Sequence, residues 1–183
     1  MFYCLFMIRS IAVFCGSQNG NNPLYELHAK ELGELLGTRK VKLIYGGGNA
    51  GLMGIVANAV LGDGGEVVGV IPDILAKRER SHTGITELLV VEDMHIRKKK
   101  MYELCDAAVI LPGGYGTLDE LFEMITWNNL SIHDKRIFIL NSGGYYEHLL
   151  QHIERMYSDG FLYENPAENI TVLQEPSQLA AYL

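Results

Sequence analysis

Seven short apolar runs rich in β-branched residues punctuate the chain: Ile11–Phe14, Val41–Tyr45, Val67–Ile71, Leu88–Val91, Ala107–Leu111, Ile137–Leu140 and Ile170–Leu173. Segments with helical spacing of apolar positions separate most of them. This alternation of strand and helix predicts an α/β fold, a doubly wound parallel sheet of about seven strands with helices on both faces. In such a sheet ligands bind outside the carboxyl ends of the strands, so glycine-rich turns after strands mark the expected site. Three turns qualify: Cys15-Gly16-Ser17 after the first run, Gly46-Gly47-Gly48 after the second and Pro112-Gly113-Gly114 after the fifth. No repeat, low-complexity tract or Pro/Ser-rich linker divides the chain, which predicts one domain over residues 1–183.

Composition narrows the partners. With 183 residues, 48% of them hydrophobic, the chain can bury a sizeable core without disulfide staples. A formal net charge of −7 argues against nucleic acid as a partner, because such binding draws its affinity from neutralising phosphates. Three cysteines, Cys4, Cys15 and Cys105, form no CxxC pair, which points to a reducing compartment and the cytoplasm. The apolar start, Met1 to Met7, has no basic region before it and is interrupted by Arg9-Ser10, far short of a membrane span. Residues 1–8 are therefore expected to be an extra leader, from an upstream start codon or a packed turn of strand, and no membrane partner is expected.

The richest segment is Pro112-Gly-Gly-Tyr-Gly-Thr-Leu-Asp-Glu120. Its glycines let backbone approach a ligand closely, and the helix that follows offers unpaired N–H groups to an anion. A phosphorylated small molecule suits it. Thr117-x-x-Glu120 also reads as a capping box, in which threonine caps the helix and glutamate reaches back to it. On the residues alone, the two readings of Glu120 are even. Asp119 would repel a phosphate unless a cation stood nearby, so the site calls for a basic partner.

That partner is found in Met94 to Cys105, read as a helix. Met94, Arg97, Met101 and Leu104 share one stripe, so Arg97 points inward; Lys98 borders the stripe, while Lys99 and Lys100 read as a solvated face. An inward arginine suits a phosphate or carboxylate, with a structural salt bridge as the bland alternative. Gly46 to Gly51 satisfies GxGxxG, but no convincing acid follows at the required distance, so a tight packing turn is favoured over a dinucleotide site. His148 and His152 stand four apart without the HExxH glutamate, and His95 and His133 read as polar core or rim. Tyr145, Tyr146 and Trp127 read as packing residues.

Taken together, Pro112 to Glu120, Met94-His-Ile-Arg97-Lys98, Ile125-Thr126-Trp127, Ile132-His133-Asp134-Lys135 and Gly143-Gly144-Tyr145-Tyr146 resemble the Lonely Guy type cytokinin riboside monophosphate phosphoribohydrolases, many once labelled lysine decarboxylases. The resemblance implies a Rossmann-like fold, commonly a homodimer, that cleaves the N-glycosidic bond of AMP or an N6-modified AMP. It implies no metal and no redox cofactor. Carried over, the catalytic pair falls on Arg97 and Glu120. Nucleotide contacts fall on Glu79, Lys98, Gly113, Gly114, Tyr115, Gly116, Thr117, Leu118, Asp119 and Thr126; Ser17 and Gly46, Gly47 and Gly48, in the turns after the first two strands, are expected as further contacts. Ile96 and Asn129 depart from the family pattern. The rival readings are a non-catalytic nucleotide sensor or carrier, a pyridoxal-phosphate decarboxylase using one of Lys98 to Lys100, and an NAD-dependent oxidoreductase using Gly46 to Gly51.

Overall fold

The computed structural model describes residues 7–76 and 81–183. Its seven strands are β1 Ser10–Phe14, β2 Lys42–Tyr45, β3 Val67–Pro72, β4 Glu87–Val91, β5 Ala107–Ile110, β6 Arg136–Leu140 and β7 Ile170–Leu173. Each expected run appears as a strand, with its bounds moved by one residue at most. They form one sheet in the order β4-β3-β2-β1-β5-β6-β7, and every pairing is parallel. The expected doubly wound α/β sheet is therefore the fold. The strand order reverses between β1 and β5, so their carboxyl ends diverge there and open a crevice.

Alternate residues of each strand feed two cores, as a two-residue side-chain period dictates. Ile11, Val13, Leu43, Val109 and Phe138 face α1 (Pro23–Thr38), α2 (Gly51–Gly62) and the C-terminal 3₁₀ turn Pro176–Tyr182. Ala12, Phe14, Ile44, Ala108 and Ile139 face α4 (Met94–Leu104), α5 (Tyr115–Asn129) and α6 (Glu147–Ser158). Two four-residue helices, α3 (Asp73–Ala76) and α7 (Pro166–Asn169), complete the connections. The central strands are buried on both faces, which is why their sequences are apolar runs rather than alternating patterns. Among the described residues no helix is long and apolar enough to cross a membrane. Of the expected leader at residues 1–8, residues 1–6 lie outside the described residues, while Met7 is exposed and Ile8 is buried in the core.

Candidate active site

The three glycine-rich turns do converge. Gly16 N–H donates to the Pro112 carbonyl at 3.0 Å, joining the turns after β1 and β5 at the point where strand order reverses. Leu52 N–H donates to the Gly16 carbonyl at 3.1 Å, which ties the start of α2 to the same place. A cleft of about 300 Å³ opens there, lined by Gly16, Ser17, Tyr25, Gly113, Gly114 and Tyr145 among others. Ser17 and Gly114 are exposed and Gly113 is half-buried. Helix α1 is capped by the Asn22 side chain and α4 by that of Asp93, whereas α5 starts after Gly114 with no side-chain cap. The first N–H groups of α5 therefore remain available to an anion.

This start corrects the capping-box alternative. Helix α5 begins at Tyr115, so Thr117 is its third residue and Glu120 its sixth, on the second turn. Thr117 is buried inside the first turn and Glu120 is buried at 8% exposure, so neither caps the helix. Two glycines shift the start: with no side chain between Pro112 and Tyr115, the helix begins three residues earlier than a threonine cap at Thr117 would place it. Tyr115 projects at 93% exposure, Gly116 and Asp119 are exposed, and Leu118 is half-buried.

Glu120 meets Arg97. The guanidinium Nη1 lies 3.8 Å from Glu120 Oε1, and the Arg97 side chain is only 12% exposed. Its Nε–H donates to the Val70 carbonyl at 3.1 Å, which fixes the arginine over the end of β3. A Cβ at Gly46 would sit 2.2 Å from Arg97 Nη2, so the first glycine of the triplet makes room for this side chain. Gly47 and Gly48 are held from the other side: the Gly47 carbonyl accepts from His82 N–H at 3.0 Å, and Gly48 bridges Ser81. Burial pushes the Glu120 carboxyl up to about 7; Asp119 and Glu123 add to that rise, and Arg97 and Lys98 oppose it. A carboxyl poised near neutrality suits acid–base or electrostatic work on a substrate.

The second cation lies deeper than a bordering position. Lys98 is 8% exposed, and its Nζ reaches Asp119 Oδ2 and Glu123 Oε1, both at 3.1 Å. Burial would pull this ammonium down, but the hydrogen bonds and charges of Asp119 and Glu123 outweigh it and hold Lys98 above the ordinary lysine value. The inward face of α4 is thus Arg97, Lys98, Met101 and Tyr102, while Met94 at its start is exposed. The buried stripe differs from the one that spacing predicts because α4 leans its later turns, not its first, against the sheet. Lys99 is exposed, as expected of a solvated face, and Lys100 is half-buried.

Comparison with known proteins shows which family the chain belongs to. The family model described as "Possible lysine decarboxylase" matches residues 53–183. Cytokinin riboside 5'-monophosphate phosphoribohydrolase LOG1 of Arabidopsis thaliana is 46% identical over 169 residues, covering 92% of this chain and 78% of its own. The cytokinin riboside 5'-monophosphate phosphoribohydrolase of Rhodococcoides fascians is 47% identical over 155 residues, covering 84% of this chain and 78% of its own. The chain belongs to this phosphoribohydrolase family. Among solved structures, the molybdenum cofactor carrier protein of Chlamydomonas reinhardtii matches with a TM-score of 0.71 at 18% identity, covering 94% of this chain and 93% of its own. That likeness is one of fold.

The family's expected contacts divide. Arg97, Glu120, Lys98, Asp119 and the cradle from Gly113 gather at one end of the sheet, with Gly46 beneath the arginine. Thr126 does not join them: it lies on the exposed side of α5 two turns beyond Glu120, and its hydroxyl donates to the Phe122 carbonyl at 2.7 Å. Glu79 lies outside the described residues. His148 and His152 are exposed on α6, His95 is exposed and His133 is half-buried beside Trp127. Tyr145 and Tyr146 do more than pack, since their hydroxyls donate to the carbonyls of Gly113 and Leu111 at 2.6 and 2.7 Å and brace the cradle. The sequence signal for this was the Gly143-Gly144 turn, whose positive φ angles of 59° and 77° aim both rings back at β5. His28 was also missed: it is buried between Ser142 Oγ at 2.8 Å and Glu175 Oε2 at 3.0 Å, and Glu31 lies close by.

Proposed function

We propose that the protein hydrolyses the N-glycosidic bond of AMP or an N6-substituted AMP, giving free base and ribose 5-phosphate. The observation that carries this reading is the Arg97–Glu120 pair, buried at the base of an uncapped helix start. The phosphate rests on the N–H groups that open α5, from Gly114 to Thr117, with Ser17 and the Gly46–Gly48 turn at its rim. Bound there, remote from the bond to be broken, it orients the sugar toward the second turn of the helix. As the bond from ribose C1' to the base nitrogen breaks, its electron pair leaves with the base and positive charge builds on the ribosyl carbon. Ionised Glu120 stabilises that charge and accepts a proton from the water that forms the new C1'–O bond, and the departing base nitrogen takes up a proton from solvent, so one water is consumed in all. Arg97 holds Glu120 in place and binds the phosphate or ribose. Glu79 and Thr126 are read as further nucleotide contacts on the strength of the resemblance. The same resemblance supports a homodimer, and the cysteine usage supports the cytoplasm.

Two rivals lose ground on specific observations. A Schiff-base lysine needs a lowered pKa to act as a nucleophile, whereas Lys98 is held high between two carboxylates. A dinucleotide site at Gly46 to Gly51 would need room over the first glycine, and Arg97 fills it. The sensor or carrier reading differs only in leaving the nucleotide intact. A panel of nucleoside monophosphates, including AMP and N6-isopentenyl-AMP, should yield free base on chromatography. Glu120→Gln should lower that rate by about 100-fold or more. Nucleotides that bind and are recovered intact from the wild type would instead identify a carrier.

A further inference from the structure

Helices α4 and α5 are clipped together at two adjacent levels. The first is Arg97 to Glu120. The second is Lys98 to Asp119 and Glu123, and here Glu123 uses both oxygens: Oε1 takes Lys98 Nζ at 3.1 Å and Oε2 accepts from the Tyr102 hydroxyl at 2.7 Å. Lys98 and Tyr102 stand four residues apart on the buried face of α4, with Tyr102 at 1% exposure. No role in the reaction has been given to Glu123 or Tyr102.

As a mere staple this cluster would be a poor choice. Burying the Lys98 ammonium carries a desolvation cost, even with Glu123 a quarter and Asp119 more than half exposed, and apolar side chains of similar volume would join two helices as well or better. Its position suggests another use. Arg97 meets Glu120 at 3.8 Å, and Lys98, the next residue of α4, holds Asp119 and Glu123, which stand one residue before and three after Glu120 on α5. The Tyr102 hydroxyl on α4 and the Cys15 thiol at the end of β1 also lie within reach of its charge. Two cations and two anions cancel, so the surroundings are neutral before Glu120 itself is counted. We propose that Glu123 and Tyr102, acting through Lys98, are positioning residues: they hold the lysine against Asp119, so that the ring of charge facing Glu120 stays balanced. Lys98 then serves as a counter-charge within the protein. The proposal rests on reading Glu120 as the reacting carboxylate.

With the ring balanced, burial dominates and the Glu120 carboxyl rises to about 7. Removing an anion should lower its midpoint, and removing a cation should raise it. The test is a ¹³C NMR titration of the Glu120 carboxyl in the free protein, assigned by the signal lost in Glu120→Gln, together with the pH dependence of kcat/KM on AMP. Glu123→Gln should move the midpoint down by about 0.5 pH unit or more, and Lys98→Met up by a similar amount. Tyr102→Phe should move it down by less, since Glu123 keeps its charge but loses its brace. Lys98→Arg should stay near the wild-type midpoint, and the rising limb of kcat/KM should follow each shift. Midpoints that stay fixed, or that move the same way in Glu123→Gln and Lys98→Met as loosened helices would make them, overturn the proposal. Opposite NMR shifts with no hydrolysis of any monophosphate would leave the charge balance standing and sink the catalytic reading; hydrolysis with fixed NMR midpoints would do the reverse.

Discussion

The two faces of the sheet are built by opposite rules. On one face α1 and α2 press together so closely that a Cβ at Gly33 would sit 2.6 Å from both Ala59 Cβ and the Val56 carbonyl oxygen. Among the described residues the buried histidines beside these helices are His28, bonded to Ser142 and Glu175 at the margin, and His82, bonded to Asn58 of α2. On the other face α4 and α5 meet through Arg97, Lys98, Asp119, Glu120, Glu123 and Tyr102. The first contact is close packing of small and apolar groups, which holds a fold together with little desolvation penalty. The second places charge in a low-dielectric setting, which is costly as a fastener but strengthens any field acting on a substrate. Both faces bury an apolar core, but direct helix-on-helix packing marks the α1–α2 face and a charged helix contact the α4–α5 face, and the crevice between β1 and β5 joins them.

The largest effect should come from disturbing the charged face without touching a charged residue. In Gly46→Ala the new methyl group would lie 2.2 Å from Arg97 Nη2, with the Met53 sulfur 3.1 Å away on another side. Arg97 must move, and Glu120 loses its partner while the apolar contacts of α1 and α2 remain. Turnover of AMP should fall by about 100-fold, a loss of the size expected when a catalytic group is displaced by about 1 Å. The thermal midpoint should change little. Wild-type turnover in this variant would show that the exact seat of Arg97 is irrelevant, and the contrast between the faces would lose its functional half.

How far each face could be read in advance follows from the range of the interactions involved. Inner runs such as Ala107–Leu111 declare themselves locally, because a strand buried on both sides must be apolar throughout, and the partly exposed edge strands β4 and β7 still show as β-branched runs. The inward aim of Arg97 was legible too, since helical spacing fixes direction within a turn or so. What escaped depends on contacts far apart in the chain. The depth of Lys98 is set by Asp119 and Glu123, more than twenty residues on, and the cradle is braced by Tyr145 and Tyr146, which reach back over thirty residues to Gly113 and Leu111. The capping box at Thr117 failed for a different reason: two backbone geometries satisfy the same local pattern, and the glycines before it allowed the earlier start.

The packed face should answer differently to an equally small change. Gly33→Ala adds one methyl group where two helices touch, and the obstructing Val56 carbonyl belongs to backbone that cannot swing aside. Alanine's better helix propensity recovers somewhat under 1 kcal/mol, so a net destabilisation of about 2 kcal/mol is expected by urea or thermal unfolding. Well below the unfolding midpoint, kcat and KM for AMP should match the wild type. A fall in kcat comparable to that of Gly46→Ala would mean that the faces are coupled and that strain at α1–α2 reaches Arg97 through the sheet.

The smallest effect is the most telling, because it should have the unusual sign. Glu120 ordinarily titrates near 4.5, and burial raises it to about 7 in the folded protein. Between those values the native state keeps a proton that the unfolded chain has released, so stability at this position is full below about pH 4.5 and declines as pH rises through about 7. Above that range the folded protein carries a buried carboxylate that it would be more stable without. Glu120→Gln removes the ionisation and keeps nearly the same shape, so at pH 8 it should be more stable than the wild type, by on the order of 1 kcal/mol once the lost partner of Arg97 is set against the gain. At pH 5 the two proteins should unfold together. Melting curves at the two pH values would decide it: a variant less stable than wild type at pH 8 would make Glu120 a structural ion-pair member, and the charged face would then be a fastener after all.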